Sequence, residues 1–254
     1  MASFPDRFRI FSAVFAALLA IPASGSDRLV IATEENPPFN MSVEGRVAGS
    51  AAEILKAALV EAGIDYTIGF YPWARAYNMA LRSRNNCVFS TARIDQREAQ
   101  FQWVGPLARN MWYILARADF RQKISGIEDL RHYRVAALNG SAVALYLKGN
   151  GVDVAEITED QLIVRMLAAR RIDLWATTER GFYFAADGKM PLVRRVMDLK
   201  EVDLYLACNL GTDLALVERL NSVLARRAVS SMDDAASSKS YGQPAIWTEP
   251  SSVR

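Results

Sequence analysis

The chain has 254 residues, with 30 basic and 28 acidic side chains and a formal net charge of +2. This near balance lacks the clustered basic excess typical of nucleic-acid-binding domains, so we expect no nucleic-acid partner. The single histidine, His132, and the two cysteines leave no residue set with the spacing of a zinc site, and we expect no metal and no cofactor.

The first 26 residues have the layout of a secretory signal peptide. Arg7 and Arg9 form a positive region, residues 10–21 are almost wholly apolar, and the small residues 23–26 follow. A membrane anchor is the alternative, but a spanning helix needs about 20 apolar residues, which is more than this run supplies. We therefore predict that residues 1–26 are a cleaved signal peptide and that the mature chain is exported to the periplasm.

The remaining sequence alternates strand and helix patterns and repeats itself once. The first copy comprises a strand at 28–33, a loop at 34–39, a helix at 51–62, a strand at 66–71, a helix at 73–81 and a strand at 87–89. The second comprises a strand at 134–138, a helix at 142–147, a strand at 153–157, a helix at 161–169 and a strand at 172–176. Two β-α-β-α-β units predict an α/β fold with mostly parallel sheets flanked by helices. A chance similarity between two α/β stretches is the alternative.

Two further apolar strands, at 112–116 and 202–208, connect the copies, and a helix from 213 to about 229 follows. One strand leaves the first unit and one returns, which predicts a two-strand hinge between two lobes. We assign residues 27–115 to lobe 1, 116–204 to lobe 2, and 205–254 to the return to lobe 1 and a C-terminal tail. The two lobes should have separate sheets.

The cysteines, Cys87 and Cys208, end up in an oxidising compartment if the chain is exported, and a disulfide is then permissible. Two free buried thiols are the alternative. We expect the free thiols, because a bridge would require the two Cα atoms to lie less than about 7 Å apart.

Ligands of open α/β sheets bind beyond the carboxyl ends of the strands, so residues just after the predicted strands are candidates for a site between the lobes. Arg75 and Arg97 both lie near a predicted helix start, where the helix dipole disfavours a cation. A guanidinium there suits a ligand carboxylate, because its fork of donors holds both oxygens. The alternative is a salt bridge to Asp95, Glu98 or Glu53.

Other candidates at these strand ends are aromatic or carry hydroxyls. Trp73 and Phe39 could stack on a ligand or fill the core. Ser90, Thr91 and Ser141 could donate to a ligand or cap a helix. Ser141 follows a turn at Gly140, which exposes backbone N–H groups.

Taken in order, these motifs resemble the periplasmic solute-binding proteins of the amino-acid type, known as family 3. The matching stretches run from 29 to 33, 37 to 39, 90 to 97, 130 to 141 and 171 to 173. The stretch 71–76, Tyr-Pro-Trp-Ala-Arg-Ala, with Trp103 to Pro106, resembles a PWxRA-containing subgroup.

The resemblance implies a two-lobed clamp of the type II periplasmic-binding-protein fold, monomeric, which closes on a small molecule. It assigns Arg97 to the ligand's α-carboxylate, Ser90 and the Gly140–Ser141 backbone to hydrogen bonds, and Trp73 to packing on the ligand.

Two positions depart from the family pattern. Ala92 replaces a usual hydroxyl, and Thr178 replaces the usual aspartate partner of an α-ammonium. Either Glu34 or Glu179 substitutes for that aspartate, or the ligand is a carboxylate without an α-amino group.

The resemblance also implies delivery of an amino acid or related carboxylate to an ABC-type permease in the inner membrane. A ligand-sensing receptor for a signalling partner is the second function, since the same clamp can serve either role. A dehydratase-like enzyme on the same fold is the third. Catalysis requires a positioned acid or base, and Glu34 alone fits that role, so we expect no enzymatic activity.

Overall fold

The computed structural model describes residues 28–186 and 193–237. The predicted signal peptide and residues 238–254 of the predicted tail lie outside the described residues. The elements are β1 (Leu29–Thr33), β2 (Met41–Val43), β3 (Arg46–Ala48), α1 (Ser50–Glu61), β4 (Tyr66–Phe70), α2 (Trp73–Arg82), β5 (Asn86–Ala92), α3 (Asp95–Glu98), β6 (Gln102–Arg117), a 3-10 helix (Ile127–His132), β7 (Val135–Leu138), α4 (Ala142–Gly149), β8 (Val154–Ile157), α5 (Asp160–Ala168), β9 (Leu174–Thr178), α6 (Glu179–Ala186), β10 (Val193–Cys208) and α7 (Leu214–Ser237).

The two predicted repeats have the same strand order. In the first repeat β1 lies between β4 and β5, and both pairings are parallel. In the second repeat β7 lies between β8 and β9, again with parallel pairings. Each repeat therefore places its first strand in the centre, its second strand at the edge and its third strand toward the other repeat, which confirms the α/β fold class.

The strands β6 and β10 connect the repeats and form the two-strand hinge. They are each 16 residues long and pair with each other from Val193↔Arg117 to Cys208↔Gln102. The first repeat joins this pair through β5, which is antiparallel to the last part of β10. The second repeat joins it through β9, which is antiparallel to the last part of β6.

The prediction of separate sheets is corrected by these long strands. All eight strands belong to one hydrogen-bonded sheet, in the order β4-β1-β5-β10-β6-β9-β7-β8. The predicted short strands at 112–116 and 202–208 are only the apolar ends of β6 and β10, and the lobe boundaries at 115/116 and 204/205 fall inside them. Residues 193–201 of β10 also pair with β6, but many of their side chains are charged, so the sequence did not show the apolar pattern by which a strand is predicted.

The C-terminal helix packs against the first repeat. α7 contacts α1 and β6, and its apolar residues Leu216, Leu220 and Val223 are buried. Their spacing of four and three residues places them on one helix face. On the neighbouring surface, Arg226 and Arg227 of α7 pair with Glu61 at the end of α1, at 3.1 and 3.0 Å.

The two cysteines are bonded, which overturns the expectation of free thiols. Cys87 and Cys208 are direct partners in the antiparallel pairing of β5 with β10. Their Cα atoms lie 4.0 Å apart, and the structure contains a disulfide between them. Strand register decided the outcome, and register is a tertiary property that the spacing of two cysteines does not reveal.

No helix within residues 28–186 and 193–237 has the length and apolarity needed to cross a bilayer.

Candidate functional site

A cavity lies between the repeats, where the carboxyl ends of their strands face each other. All six strands of the two repeats deliver residues to it, as the rule for open α/β sheets predicts. Its lining comprises Glu34, Asn36, Trp73, Ser90, Ala92, Arg97, Asn110, Trp112, Leu138, Ser141, Ala142, Val143, Asp160, Ala176, Thr177, Thr178, Arg180 and Leu204.

Arg97 is the most deeply buried charged residue that the first half of the chain contributes to this cavity. Only 2% of its surface is exposed, and its guanidinium carbon lies 5.1 Å from the Trp73 ring centroid and 5.0 Å from that of Tyr77. Within the described parts of the chain it forms no ion pair, and Glu98 pairs with Arg93 instead. The surface salt bridges considered for Arg97 are therefore not formed.

The guanidinium of Arg97 is incompletely satisfied. Nη2 donates to the Gly140 carbonyl oxygen at 2.9 Å and Nη1 to that of Ala92 at 3.5 Å, whereas Nε has no partner in the described residues. Burial lowers the pKa of Arg97 to about 10, partly opposed by Tyr77 and Glu34. A buried cation without a counter-anion is costly, and an anionic ligand would supply both the missing charge and the missing acceptor.

Two more buried polar atoms of the cavity lining have no partner within the described residues, namely Ser90 Oγ and Asn110 Oδ1. Ser90 is 8% exposed and Asn110 3% exposed. Buried polar groups are normally hydrogen-bonded, so unpaired ones in a cavity wall indicate a place where a ligand or water is bound. Ser90 is also held at a φ of 59°, which is uncommon for a residue with a side chain.

The Gly140 carbonyl oxygen joins the two repeats. It accepts from Trp73 Nε1 at 3.0 Å as well as from Arg97 Nη2. The turn at Gly140, with φ of 66°, is held from its own side by Glu156 of β8, whose Oε2 accepts from the Gly140 N–H at 3.1 Å. Lys148 pairs with the same carboxylate. Ser141 then caps α4 by accepting from the Ala144 N–H at 3.3 Å.

Arg180 forms a second charged centre in the cavity lining. Its Nη1 lies 2.5 Å from Glu34 Oε2 and its Nη2 lies 2.5 Å from Asp160 Oδ2. It also donates to the Glu35 carbonyl oxygen at 2.5 Å. Asp160 and Arg180 follow β8 and β9 of the second repeat, and Glu34 follows β1 of the first, so this cluster also joins the two sides of the cleft. Burial raises the pKa of Glu34, and the Arg180 cation opposes that rise.

The predicted site residues divide into those at the cavity and those elsewhere. Glu34, Trp73, Ser90, Arg97, Ser141 and Thr178 line the cavity, and Gly140 borders it through its carbonyl contacts. The structure places the other three outside it. Phe39 packs in the core beside α1, Thr91 Oγ1 donates to the Val88 carbonyl oxygen at 3.1 Å, and Arg75 is exposed and stacks on Tyr71 at 4.8 Å.

The positions of these three residues have physical reasons. Alternation along β5 turns Thr91 away from the face that Ser90 occupies. The loop after β1 folds back so that Phe39 faces α1, and Arg75 lies on the outer face of α2, opposite the buried Trp73 and Ala76. Phe39 therefore fills the core, which is one of the two roles that the sequence left open.

Sequence reasoning missed Asn110, Asp160 and Arg180. Asn110 lies before the strand predicted at 112–116, and only the longer β6 of the structure includes it. Asp160 was not predicted because an acidic residue at a helix start suits the helix dipole and needs no other explanation. Arg180 lies in a stretch that the strand-end rule selects, but its partners are far away in sequence. Glu179, considered as an ammonium partner, is half-buried and is not part of the lining.

Comparisons with known proteins show the fold. No protein-family description and no curated protein sequence matches the chain. A histidine kinase sensor domain similar to periplasmic binding proteins superimposes with a TM-score of 0.72 and 22% identity, over 84% of this chain and 95% of that one. The arginine-binding protein of T. maritima in its holo form superimposes with a TM-score of 0.69 and 18% identity, over 83% of this chain and 95% of that one.

The GluR0 ligand-binding core of Nostoc punctiforme, in complex with L-glutamate, gives a TM-score of 0.66 and 21% identity, over 83% of this chain and 98% of that one. All three structures are covered almost completely, so the likeness extends through both repeats and the hinge. The chain therefore has the two-lobed α/β fold of the periplasmic solute-binding proteins of family 3.

Proposed function

We propose that this protein binds a small carboxylate-bearing solute, an amino acid or a related acid, in the cleft between its two lobes. The observation that carries the proposal is Arg97, a buried guanidinium with an unpaired Nε and no counter-anion in the described residues. Ser90 adds an unpaired hydroxyl to the same wall. A carboxylate bound here would satisfy both groups, and the planar fork of an arginine suits it in geometry as well as in charge.

Binding, and not catalysis, is the activity proposed. The neighbours with the same fold are binding proteins and receptor domains. The carboxylates of the cavity lining, Glu34 and Asp160, are both paired with Arg180. Neither is available as the positioned general acid or base that an enzyme of this fold would need.

We also propose where the protein works and which of its parts move. Residues 1–26 serve as a cleaved signal peptide, and the mature chain works in the periplasm as a monomer. Within the described residues, 28–115 and 205–237 form one lobe, and 116–186 with 193–204 form the other. The lobes rotate about β6 and β10, and the interlobe bonds of Gly140 and Arg180 form when the cleft closes on its ligand.

Delivery of the ligand to an ABC-type permease in the inner membrane is the role we propose first. Ligand sensing for a signalling partner is the second candidate, favoured by the fold likeness to a histidine kinase sensor domain. The two roles differ in the partner of the closed form. Reconstituted transport that depends on the ligand-loaded protein would support the first role, and ligand-dependent activation of a membrane kinase would support the second.

The test begins with a thermal-shift screen of amino acids, organic acids and small amines on the mature chain, since a bound ligand raises apparent stability by mass action. Calorimetric titration then compares the wild type with Arg97→Ala and Arg97→Lys. Truncating a desolvated charge partner costs about 2–5 kcal/mol of binding, so Arg97→Ala should weaken affinity at least about 30-fold. Lysine should rescue only in part, because it lacks the fork.

Arg75→Ala is the matched control, because Arg75 is also an arginine of the first repeat but lies exposed on Tyr71. It should bind like the wild type. An Arg97→Ala variant that is folded and binds within about threefold of the wild type, about 0.65 kcal/mol, would remove the basis of the proposal.

A further inference from the structure

The protein carries a second cation, Arg180, in the lining of the same cavity as Arg97. The guanidinium of Arg180 lies between Glu34 Oε2 and Asp160 Oδ2, 2.5 Å from each, and Nε adds a second bond to Asp160 Oδ2 at 2.9 Å. The side chains of Arg180, Glu34 and Asp160 are 13%, 18% and 3% exposed. The cluster is therefore largely shielded from water.

Glu34 and Asp160 are the only carboxylates among the cavity-lining residues, all of which are described by the structure. A ligand ammonium in this cavity would need one of them as its partner, because an unpaired buried charge is strongly unfavourable. Both already hold the Arg180 guanidinium. Thr178 lines the same side but brings no charge, and its hydroxyl oxygen accepts from the Arg180 N–H at 3.3 Å.

The balance of charge leads to the same conclusion. The lining contains two guanidiniums, Arg97 and Arg180, and two carboxylates, Glu34 and Asp160. Both carboxylates are bonded to Arg180, which leaves Arg97 as the group that lacks an anion. A second cation placed beside Arg180 would meet like-charge repulsion in a desolvated site, which disfavours its binding.

We propose that the ligand is a small carboxylate without a cationic amino group, and that Arg180 replaces the ammonium that an amino acid would bring. This inference rests on the proposed function, since it names the class of ligand for the same cleft. Arg97 and Ser90 hold the carboxylate, while Arg180, Glu34 and Asp160 compensate one another's charge within the same lining. The apolar lining residues, among them Leu138, Val143 and Leu204, suit a neutral carbon skeleton.

The experiment uses pairs of compounds that differ only in the amino group. Propanoate is compared with alanine, glutarate with glutamate, 4-methylpentanoate with leucine, and 3-phenylpropanoate with phenylalanine, by calorimetry on the mature wild-type chain. In every pair that binds, the compound without the amino group should bind at least tenfold more tightly. Equal or tighter binding of the amino member would overturn the inference and leave the proposed function standing. Binding of neither series would overturn both.

Variants test whether Arg180 sets this preference. Arg180→Gln removes the cation and releases Glu34 and Asp160, so the preference for the compound without the amino group should fall at least tenfold. Arg180→Lys keeps the cation and should keep the preference. Arg170→Gln is the control, because Arg170 also pairs with an aspartate, Asp119 at 2.7 Å, but lies on the surface.

Circular dichroism and thermal unfolding establish that each variant is folded. An unchanged preference in folded Arg180→Gln would overturn the role of Arg180, as would loss of the preference in Arg180→Lys. If Arg180→Gln does not fold, the lysine variant and the wild-type pairs still decide the inference.

Discussion

Trp73 shows how one residue can serve both the cavity wall and the contact between the lobes. Its ring lies 5.1 Å from the Arg97 guanidinium carbon, and its Nε1 donates to the Gly140 carbonyl oxygen of the other lobe at 3.0 Å. The sequence left its role open between stacking on a ligand and filling the core. It is 9% exposed and lines the cavity, so it does part of each.

The substitution Trp73→Phe keeps an aromatic ring but removes the hydrogen bond to Gly140. One such bond contributes about 0.5–1.5 kcal/mol, so ligand affinity should fall about two- to tenfold when the closed form loses it. Calorimetric titration measures the change. Trp103→Phe is the matched control, since Trp103 Nε1 donates to the Glu98 carbonyl oxygen at 3.0 Å within the first lobe. Equal losses in the two variants would contradict a role in closure.

At the scale of the elements, the connection from β7 to α4 depends on β8. Gly140 adopts a left-handed conformation, with φ of 66°, and its N–H is bound by Glu156 of β8. Lys148 of α4 holds the same carboxylate, so one side chain fixes the turn and the helix that follows. The side-chain bond from Lys148 lowers the pKa of Glu156, with a further contribution from the Gly140 N–H.

This lowered pKa predicts a stability that depends on pH. A carboxyl group whose pKa is lower in the folded state than in the unfolded state stabilises the folded state. The full stabilisation is present when the pH is above the ordinary pKa of 4.5, and it is lost as the pH falls through the lowered pKa. Because Glu156 and Lys148 are partly exposed, Glu156→Gln should reduce the free energy of unfolding by at most about 1 kcal/mol at pH 7. The difference should shrink toward pH 3.

Urea unfolding at pH 7 and pH 3 measures this difference. Asp153→Asn is the control, because Asp153 is an exposed acidic residue of the same lobe that forms no ion pair within the described ranges. It should leave the free energy of unfolding unchanged at both pH values. A Glu156→Gln effect of the same size at pH 3 as at pH 7 would show that its carboxylate charge is not the cause.

At the scale of the whole molecule, the disulfide closes the chain around the second lobe. Cys87 and Cys208 are separated by 121 positions, and the enclosed segment contains all of β6 to β9. The bridge lies where β10 returns beside β5, so it fixes the hinge strand in the first lobe. Both cysteines are fully buried, which protects the bond from reductants in the folded state.

We expect this disulfide to contribute about 2–4 kcal/mol to the free energy of unfolding, mainly by restricting the unfolded chain. The protein denatured without reductant should have no titratable thiol, and reduction under unfolding conditions should lower the thermal midpoint after refolding. The double variant Cys87→Ala/Cys208→Ala is the control and should be insensitive to reductant. Two reactive thiols in the denatured, unreduced protein would disprove the bridge.

Local pattern was sufficient for much of the architecture. Apolar periodicity and turn residues such as Gly63 specify the helices and strands of each repeat, because burial on one face is a property of neighbouring residues. The repeated order of those elements then predicts the parallel sheets, and the strand-end rule selects the edge at which the cavity lies. Arg97 could be singled out because a cation near a helix start is locally unfavourable and so requires a distant partner.

Other features were decided only by the tertiary structure. The Cys87–Cys208 bond depends on the register between β5 and β10, and the continuity of the sheet depends on pairing along charged parts of β10. Arg180, Glu34 and Asp160 come from different elements of both lobes and meet only when the chain is folded. The sequence determined which segments bury apolar surface, whereas charge pairing across the cleft required the positions of groups that no local spacing relates.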